Sequence, residues 1–139
     1  MRFRVVIASL VFLQALILVS AQGKTTLEGI YSEAQATRGE KVYAASCASC
    51  HGDDLSGGGQ TPPLSGKEFN GDWNDLSMGD LYDRTHLSMP ADKPGSLTPE
   101  QTVDVIAYLL KKGTFPSGLA DLPTDTAALK AIRFVSPKP

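Results

Sequence analysis

The chain has very little cysteine and histidine, and both cysteines and one of the two histidines lie in one place. Cys47 and Cys50 are the only cysteines among 139 residues, and His51 is one of only two histidines. A chain that keeps all its cysteine within four residues has little thiol chemistry available elsewhere. The segment "SCASCHG" (46–52) therefore predicts either a bound group or a redox reaction between the two thiols.

Runs of basic residues are also missing. The formal net charge is −2 at pH 7, and it becomes −4 without Arg2 and Arg4, when eleven basic residues remain against fifteen acidic ones. Nucleic-acid binding depends on clustered Lys and Arg side chains that neutralise phosphates. The acidic balance therefore excludes nucleic acid as an expected partner.

Residues 1–21 are typical of an export signal. Arg2 and Arg4 precede an apolar run, and Val19-Ser20-Ala21 supplies the small residues that an export peptidase reads. The run also approaches the length that spans a bilayer, so an uncleaved anchor is the alternative, and membrane contact is expected only in that case. Either way we expect the rest of the chain in the periplasm.

Extended alternation of apolar and polar residues is missing too, so no strand is predicted with any strength. Helical spacing instead predicts three main helices, over about Leu27–Cys47, Leu76–Ser88 and Thr98–Lys112. A short helix over about Thr124–Ala131 is expected before an extended tail. The segments between them, such as "GGGQTPPLSG" (57–66), are loops by composition. The predicted fold class is all-α.

Details of the helices sharpen this prediction. Gly39 lies within the first one at a cost of ~1 kcal/mol relative to alanine, which predicts a break between two shorter helices or a close helix crossing. In the second helix, Leu81, Thr85 and Leu87 are expected to face inward. The third has the strongest start, since Thr98 and Gln101 form a capping box around Pro99.

Four interpretations of Cys47, Cys50 and His51 were weighed. A structural zinc site requires four protein ligands, but besides the two cysteines only the two histidines remain as soft donors. A redox dithiol normally opens a helix beside a parallel sheet, whereas these cysteines follow a helix and no sheet is predicted. A purely structural disulfide is the third possibility. Cys-x-x-Cys-His is, fourth, the attachment signature of covalent haem, with His51 as proximal iron ligand, and the spacing favours this one.

The sixth position on a haem iron has three candidate ligands: Met78, His86 and Met89. Met89 is favoured because it lies in the loop "SMPADKPG", and Pro90 biases it towards an extended conformation. A methionine thioether raises the reduction potential and suits electron transfer. Met78 is expected to fill space near a helix start, and His86 is expected to face solvent.

With these features in place, the sequence resembles the small monohaem class I cytochromes c over roughly Arg38–Lys112. In "RGEKVYAASCASCHG", Gly39 and Tyr43 take the places of a glycine and an aromatic residue that precede the family's haem motif. In that family the two residues make a close crossing with the last helix, and "VIAYLL" with Tyr108 is similar to the other half. The resemblance implies a cytochrome c fold wrapped around one haem.

The resemblance also implies further site residues. "TPPLSG" is similar to a family loop in which a proline carbonyl accepts the proximal histidine's second N–H, which implies Pro62, with Pro63 as the alternative. Trp73 resembles the aromatic residue that hydrogen-bonds a haem propionate, although a plain core tryptophan is the alternative. The implied cofactor-binding residues are thus Cys47, Cys50, His51, Met89, Pro62 and Trp73, with iron held by His51 and Met89.

Partners follow from the same resemblance. "LYDRTHLSMPADKPGSLTPEQTVDVIAYLL" is close to a branch of bacterial cytochromes that occur alone or joined to quinoprotein dehydrogenases. This implies redox protein partners, with a dehydrogenase as electron donor and a respiratory oxidase as acceptor. The acidic domain lacks the lysine ring of mitochondrial members, so docking is expected at an apolar patch near the haem edge, with Lys67 or Lys93 at its rim.

The expected organisation has four parts. Residues 1–21 are the export signal or anchor, 22–37 a lead-in helix, 38–113 the cytochrome c domain and 114–139 a C-terminal extension. The expected function is an exported carrier of single electrons through one covalently attached haem c, not an enzyme on its own. A haem sensor or peroxidase-like protein with a displaceable sixth ligand is the alternative.

Overall fold

The computed structural model describes residues 23–138, so the predicted export segment 1–21 lies outside the described residues. Within that range the chain is helical, and extended pairing is limited to isolated bridges. The predicted all-α class is confirmed. None of the helices between residues 23 and 138 has the length and apolar character needed to cross a bilayer. The six α-helices are α1 (Glu33–Ser46), α2 (Ala48–His51), α3 (Gly66–Trp73), α4 (Met78–Ser88), α5 (Pro99–Lys112) and α6 (Thr126–Lys130), after a 3-10 turn at Thr26–Glu28.

The first long helix begins later than predicted, at Glu33 rather than Leu27. Gly29 ends the preceding 3-10 turn in a left-handed conformation, with φ 65° and ψ 61°, which reverses the chain. Ser32 then caps α1 by accepting a hydrogen bond from the Gln35 N–H over 3.0 Å. These two local signals outweigh the apolar spacing of Ile30 and Tyr31 on which the earlier start rested.

The close crossing expected from Gly39 is confirmed, and the alternative of a helix break is wrong. Helix α1 runs unbroken through Gly39, where an added Cβ would collide with the backbone carbonyl of Asp104 in α5. One turn further on, the rings of Tyr43 and Tyr108 lie 5.2 Å apart across the same crossing. The absence of a side chain at residue 39 is thus what lets α1 and α5 approach.

Helices α4 and α5 both begin with a capping box. Ser77 and Asp80 form the box of α4, so this helix starts at Met78 rather than Leu76. In α5 the predicted box of Thr98 and Gln101 is present. The expectation that Leu87 faces inward is wrong, since its side chain is 66% exposed, because the buried face of α4 carries residues from its first two turns.

Helices α2 and α3 were not predicted. Helix α3 buries Phe69, whose ring packs 6.0 Å from Phe134 at an interplanar angle of 76°. Gly66 and Gly71 weakened its helical pattern, because glycine lowers helix propensity. Helix α2 is a single turn that begins directly after Cys47 and contains Cys50 and His51.

The C-terminal segment completes the core. Phe134 is fully buried, and its backbone pairs with the connection between α3 and α4: its N–H donates to Leu76 O over 2.8 Å and its carbonyl accepts from Asp75 N–H over 2.9 Å. The Met78 N–H donates to Ile132 O over 2.8 Å. Residues 132–134 therefore fix the start of α4, the helix that leads to Met89.

Candidate functional site

The two cysteines and the histidine lie on one helical turn. Cys47 lies between α1 and α2: its N–H donates to Tyr43 O over 2.8 Å, and its carbonyl accepts from His51 N–H over 2.9 Å. Residues three and four positions apart share one face of a helix. Cys50 and His51 therefore lie on the same side as Cys47, which the chain achieves with a single turn.

The thiols do not have the environment of a redox pair. Both are free, Cys50 exposed and Cys47 half-buried, and burial raises the pKa of Cys47 to about 11. Catalytic dithiols are typically activated by a lowered thiol pKa, and burial acts in the opposite direction on Cys47. Among residues 23–138 no three His, Cys, Asp or Glu side chains cluster as a metal site would require.

His51 is buried and its ring is oriented by one hydrogen bond. Nδ1 lies 2.9 Å from the carbonyl oxygen of Pro62, the contact that the resemblance implies for this proline rather than Pro63. A carbonyl oxygen can only accept, so Nδ1 carries the proton and Nε2 keeps its lone pair. Nε2 forms no hydrogen bond with any residue in the described range. It is therefore the nitrogen available to a metal.

The loop between His51 and Pro62 is shaped to make this contact. The Gly57 N–H donates to His51 O over 2.9 Å, and Gly57 has φ 67°. A Cβ at this position would collide with the backbone of Pro62, so the close approach requires glycine. The Asp54 carboxylate accepts from Ser56, which lowers the pKa of Asp54. Sequence reasoning missed Gly57, although the run of three glycines was a signal for an unusual backbone.

Tyr43 connects α1 to the same loop. Its hydroxyl donates to Gly52 O over 2.6 Å, just after His51. Burial is the main cause that raises the pKa of Tyr43 to about 12. The tyrosine thus has two contacts, the ring against Tyr108 and the hydroxyl against the backbone that follows the motif. Sequence reasoning found the first through the resemblance and missed the second.

Met89 lies at the end of α4, half-buried and extended, with φ −118° and ψ 153°. Its N–H donates to Thr85 O over 3.1 Å, which anchors the residue to the last turn of the helix. Extended backbone is what a following proline favours, as expected for Pro90. The side chain of Met89, with its sulfur, therefore extends from a backbone that is held by α4 on one side and restricted by Pro90 on the other.

The other two ligand candidates are engaged elsewhere. Met78 is fully buried in the hydrophobic core at the start of α4. His86 was expected to face solvent, but it is half-buried. Its Nδ1 lies 3.1 Å from Oγ1 of Thr102, and its ring stacks on Tyr82. The structure thus gives each of these residues contacts of its own.

Trp73 lies at the end of α3, half-buried, with its ring 6.2 Å from that of Phe69. Its indole N–H makes no hydrogen bond within residues 23–138. The side chain therefore combines a packing role in the core with a free donor. Both properties suit the propionate partner that the resemblance implies, and the packing alone suits a core tryptophan.

A turn of helix with two free thiols and a buried, oriented imidazole is typical of one class of protein, the haem-attaching c-type cytochromes. The chain belongs to the cytochrome c family, since residues 34–109 match the family described as "Cytochrome C oxidase, cbb3-type, subunit III". Together with the fold, this defines a small class I cytochrome c. The family implies a covalently bound haem c.

Two curated relatives are similar to the chain. It is 35% identical over 81 residues to "Cytochrome c6" of Anabaena variabilis, which covers 57% of this chain and 93% of that protein. It is 38% identical over 78 residues to "Thiosulfate dehydrogenase" of Stutzerimonas stutzeri (strain A1501), which covers 52% of this chain but only 25% of that protein. Among solved structures, the sulfane dehydrogenase SoxCD from Paracoccus pantotrophus matches with 28% identity and a TM-score of 0.46, over 56% of this chain and 43% of that one.

The residues present fit the implied haem in their donor chemistry. Cys47 and Cys50 are free thiols that can form thioethers, and His51 presents an unprotonated Nε2. Met89 supplies a soft thioether of the kind found opposite histidine in cytochromes. His51 can accept the group while it keeps its hydrogen bond to Pro62, and the two thiols would give up their hydrogens when they form thioethers.

Proposed function

We propose that the chain is an exported electron carrier in which Cys47 and Cys50 attach one haem c while His51 and Met89 ligate its iron. One observation carries this proposal: the imidazole of His51 is buried with Nδ1 fixed by Pro62, and its Nε2 is left free beside two free thiols. A bound haem supplies single-electron chemistry, since its iron cycles between the ferrous and ferric states.

The protein's own residues then set orientation, access and potential. Pro62 keeps the His51 ring in one tautomer and in one plane, which also raises its basicity as a ligand. Met89 would supply the iron with a thioether ligand, and such a ligand favours a higher reduction potential. Trp73 would offer its indole N–H to a haem propionate. None of these roles is acid–base or nucleophilic, so the chain on its own is proposed to be a carrier and not an enzyme.

The proposed donor is a dehydrogenase and the proposed acceptor a respiratory oxidase. Two comparisons support these classes: a relative named thiosulfate dehydrogenase contains a similar segment, and the matching family is described by an oxidase subunit. The resemblance of the Met89 region to quinoprotein-associated cytochromes favours a quinoprotein as the donor. Lys67 and Lys93 are both exposed, which supports the proposal that they lie at the rim of the docking surface.

The proposed location is the periplasm, with residues 1–21 acting as the signal or anchor. The division into a lead-in at 22–37, a cytochrome domain at 38–113 and an extension at 114–139 remains part of this proposal. Helix α1 crosses the first of these boundaries, and the buried Phe134 belongs to the extension. We therefore propose that the three segments fold together.

The ferric optical spectrum tests the ligation. We expect a weak long-wavelength sulfur-to-iron band that persists without added ligand and disappears in Met89→Ala. The ferrous protein should bind carbon monoxide slowly, because Met89 must first leave the iron. Rapid carbon monoxide binding by the wild type, without the sulfur band, would instead identify a sensor or peroxidase-like protein.

The donor is tested by mixing the ferric protein with purified dehydrogenases. Rapid reduction by a quinoprotein dehydrogenase with its substrate supports the proposed donor. Reduction by a thiosulfate dehydrogenase alone would reassign the donor while leaving the carrier function intact. Lys67→Glu and Lys93→Glu should slow the productive pair, and more so at low salt, because rim charges act mainly on association.

A further inference from the structure

The loop at residues 89–98 connects α4 to α5 and carries Met89 at its first position. Two consecutive turns shape it, since Lys93 N–H donates to Pro90 O over 2.9 Å and Ser96 N–H donates to Lys93 O over 3.2 Å. Residues 91–96 are all exposed. Few contacts with the core therefore hold the tip of the loop, and its position depends on the base, where α4 ends and α5 begins.

His86 joins the two helices at that base. Its Nδ1 lies 3.1 Å from Oγ1 of Thr102, a fully buried residue near the start of α5. The Thr102 hydroxyl donates its only hydrogen to Thr98 O over 2.9 Å, so towards His86 it can only accept. The imidazole therefore carries its proton on Nδ1 and donates it across the junction between the helices.

A second contact fixes the same ring. His86 stacks on Tyr82, one helical turn earlier, with ring centroids 5.2 Å apart and an interplanar angle of 19°. Tyr82 is itself buried. A ring held by stacking on one side and by a directional hydrogen bond on the other has little freedom to rotate. Neither solvent exposure nor iron ligation accounts for both contacts.

We propose that His86 is a positioning residue for the sixth ligand: its hydrogen bond to Thr102 closes the base of the loop and keeps Met89 in its ligating arrangement. This inference rests on the proposed function, in which Met89 binds the iron. The Met89 N–H donates to Thr85 O, so its backbone continues the turn of α4 that His86 anchors to α5. Without the bond between the helices, the last turn and the loop separate from α5 more often, and external ligands reach the iron.

The test measures imidazole binding to the ferric holoprotein, because imidazole can bind only when Met89 has left. His86→Phe keeps a ring on Tyr82 and removes the hydrogen bond, and Thr102→Val removes the hydroxyl at nearly constant volume. Each variant should bind imidazole roughly fivefold more tightly, a factor typical of one neutral hydrogen bond. The double variant should bind it no more tightly than the stronger single variant, because both changes break the same contact.

Matched variants separate positioning from general stability. Thr37→Val removes a similar threonine hydroxyl, which donates to Glu33 O over 2.9 Å within α1, and it should leave imidazole affinity unchanged. His86→Asn and Thr102→Ser retain a donor and an acceptor, and they should restore most of the wild-type affinity and the long-wavelength band. The reduction potential of His86→Phe should fall if the sulfur binds the iron less tightly.

Each outcome of these measurements either supports or overturns the proposed role of His86. A wild type that shows the sulfur band, with variants that bind imidazole as the wild type does, would overturn the role of His86 and leave the carrier function intact. Lower global stability of His86→Phe in urea with unchanged imidazole affinity would do the same. If the ferric wild type showed no sulfur-to-iron band, or if Met89→Ala left that band in place, the proposed ligation would be overturned, and this inference with it.

Discussion

The backbone of Gly39 in α1 rests on the carbonyl group of Asp104 in α5. The adjacent Arg38 binds the side chain of the same aspartate with two nitrogens: Nε lies 3.0 Å from Oδ2 and Nη2 lies 2.9 Å from Oδ1. One helix therefore contacts a single residue of the other through both backbone and side chain. These contacts fix the crossing of α1 and α5, and therefore also the position of Cys47, which follows α1.

Replacing Gly39 with alanine should destabilise the fold strongly. The added Cβ would collide with the Asp104 carbonyl and contact the Tyr108 side chain, so the helices must move apart. We expect a loss of about 3 kcal/mol in the free energy of unfolding, measured by urea denaturation. Weaker packing of the Tyr43 ring against the Tyr108 ring should accompany this loss.

Gly71 in α3 provides the matched control. It is an exposed helical glycine, and a Cβ there would meet no atom within 4 Å. Gly71→Ala should therefore stabilise the protein by about 0.5–1 kcal/mol through higher helix propensity. Equal effects of the two substitutions would show that Gly39 has no packing role.

The C-terminal segment should be indispensable to the core. Phe134 is 0% exposed and packs edge-on against Phe69 and Phe115. Phe134→Ala should cost about 3–5 kcal/mol of unfolding free energy, because it leaves a cavity between α3 and the segment after α5. Differential scanning calorimetry measures this loss.

Leu119 is the control for this prediction, since it lies in the same segment but is 105% exposed. Leu119→Ala should change stability by less than about 0.5 kcal/mol. If Phe134→Ala behaved like Leu119→Ala, the segment would be an appendage and not part of the core.

Acid should weaken the contact between the C-terminal segment and α1. Hydrogen bonds from Ser32, and then from Arg38, lower the pKa of Asp121 from 3.8. A lowered folded-state pKa contributes stability that is present above about pH 4 and is lost as the pH falls below 3.8 towards the folded-state value. After correction for the intrinsic exchange rate, the protection of the amides at residues 114–124 against hydrogen exchange should therefore fall on acidification.

Asp121→Asn tests the origin of this acid sensitivity. The variant cannot titrate at residue 121, so its exchange rates near Arg38 should change less between pH 6 and pH 3 than those of the wild type, after correction for intrinsic exchange. A variant with the full wild-type response would assign the effect to other carboxyl groups, among them Glu33 and Asp80, whose pKa values are also lowered.

Tyr43→Phe should loosen the backbone after the haem motif. It removes the hydroxyl that donates to Gly52 O over 2.6 Å, and about 1 kcal/mol of unfolding free energy should go with it. The Tyr108 hydroxyl makes no hydrogen bond with any residue between 23 and 138, so Tyr108→Phe is the matched control and should be nearly neutral. Equal losses in the two variants would contradict a specific role for the Gly52 contact.

The sequence predicted the parts of the fold that have short-range or sterically strict signals. The capping box at Thr98 located α5, and Gly39 indicated a crossing because only a close approach explains glycine inside a long helix. After Gly113 the sequence predicted the short helix over about Thr124–Ala131, which the structure has at Thr126–Lys130, but it did not predict the burial of Phe134. Burial of Phe134 depends on contacts with Phe69 and Phe115, which lie 65 and 19 residues away in the chain and have no common local pattern.

The candidate site likewise has features with short-range sequence signals and features that depend on contacts between distant residues. Cys47, Cys50 and His51 are adjacent and carry their chemistry in their spacing, so the motif could be read directly. The contact of His51 with Pro62 was implied by the family resemblance. The hydrogen bonds of Tyr43 with Gly52 and of His86 with Thr102 were not predicted, because no local pattern indicates them. The bond from His86 to Thr102 spans 16 residues, and its significance depends on which hydroxyl hydrogen is already used.

The most direct test is the intact mass of the protein purified from cells that mature c-type cytochromes. We predict the mass of the polypeptide plus one haem that survives denaturation, and loss of that addition in the Cys47→Ala, Cys50→Ala double variant. A colourless wild-type protein with the bare polypeptide mass and two titratable thiols would contradict the account.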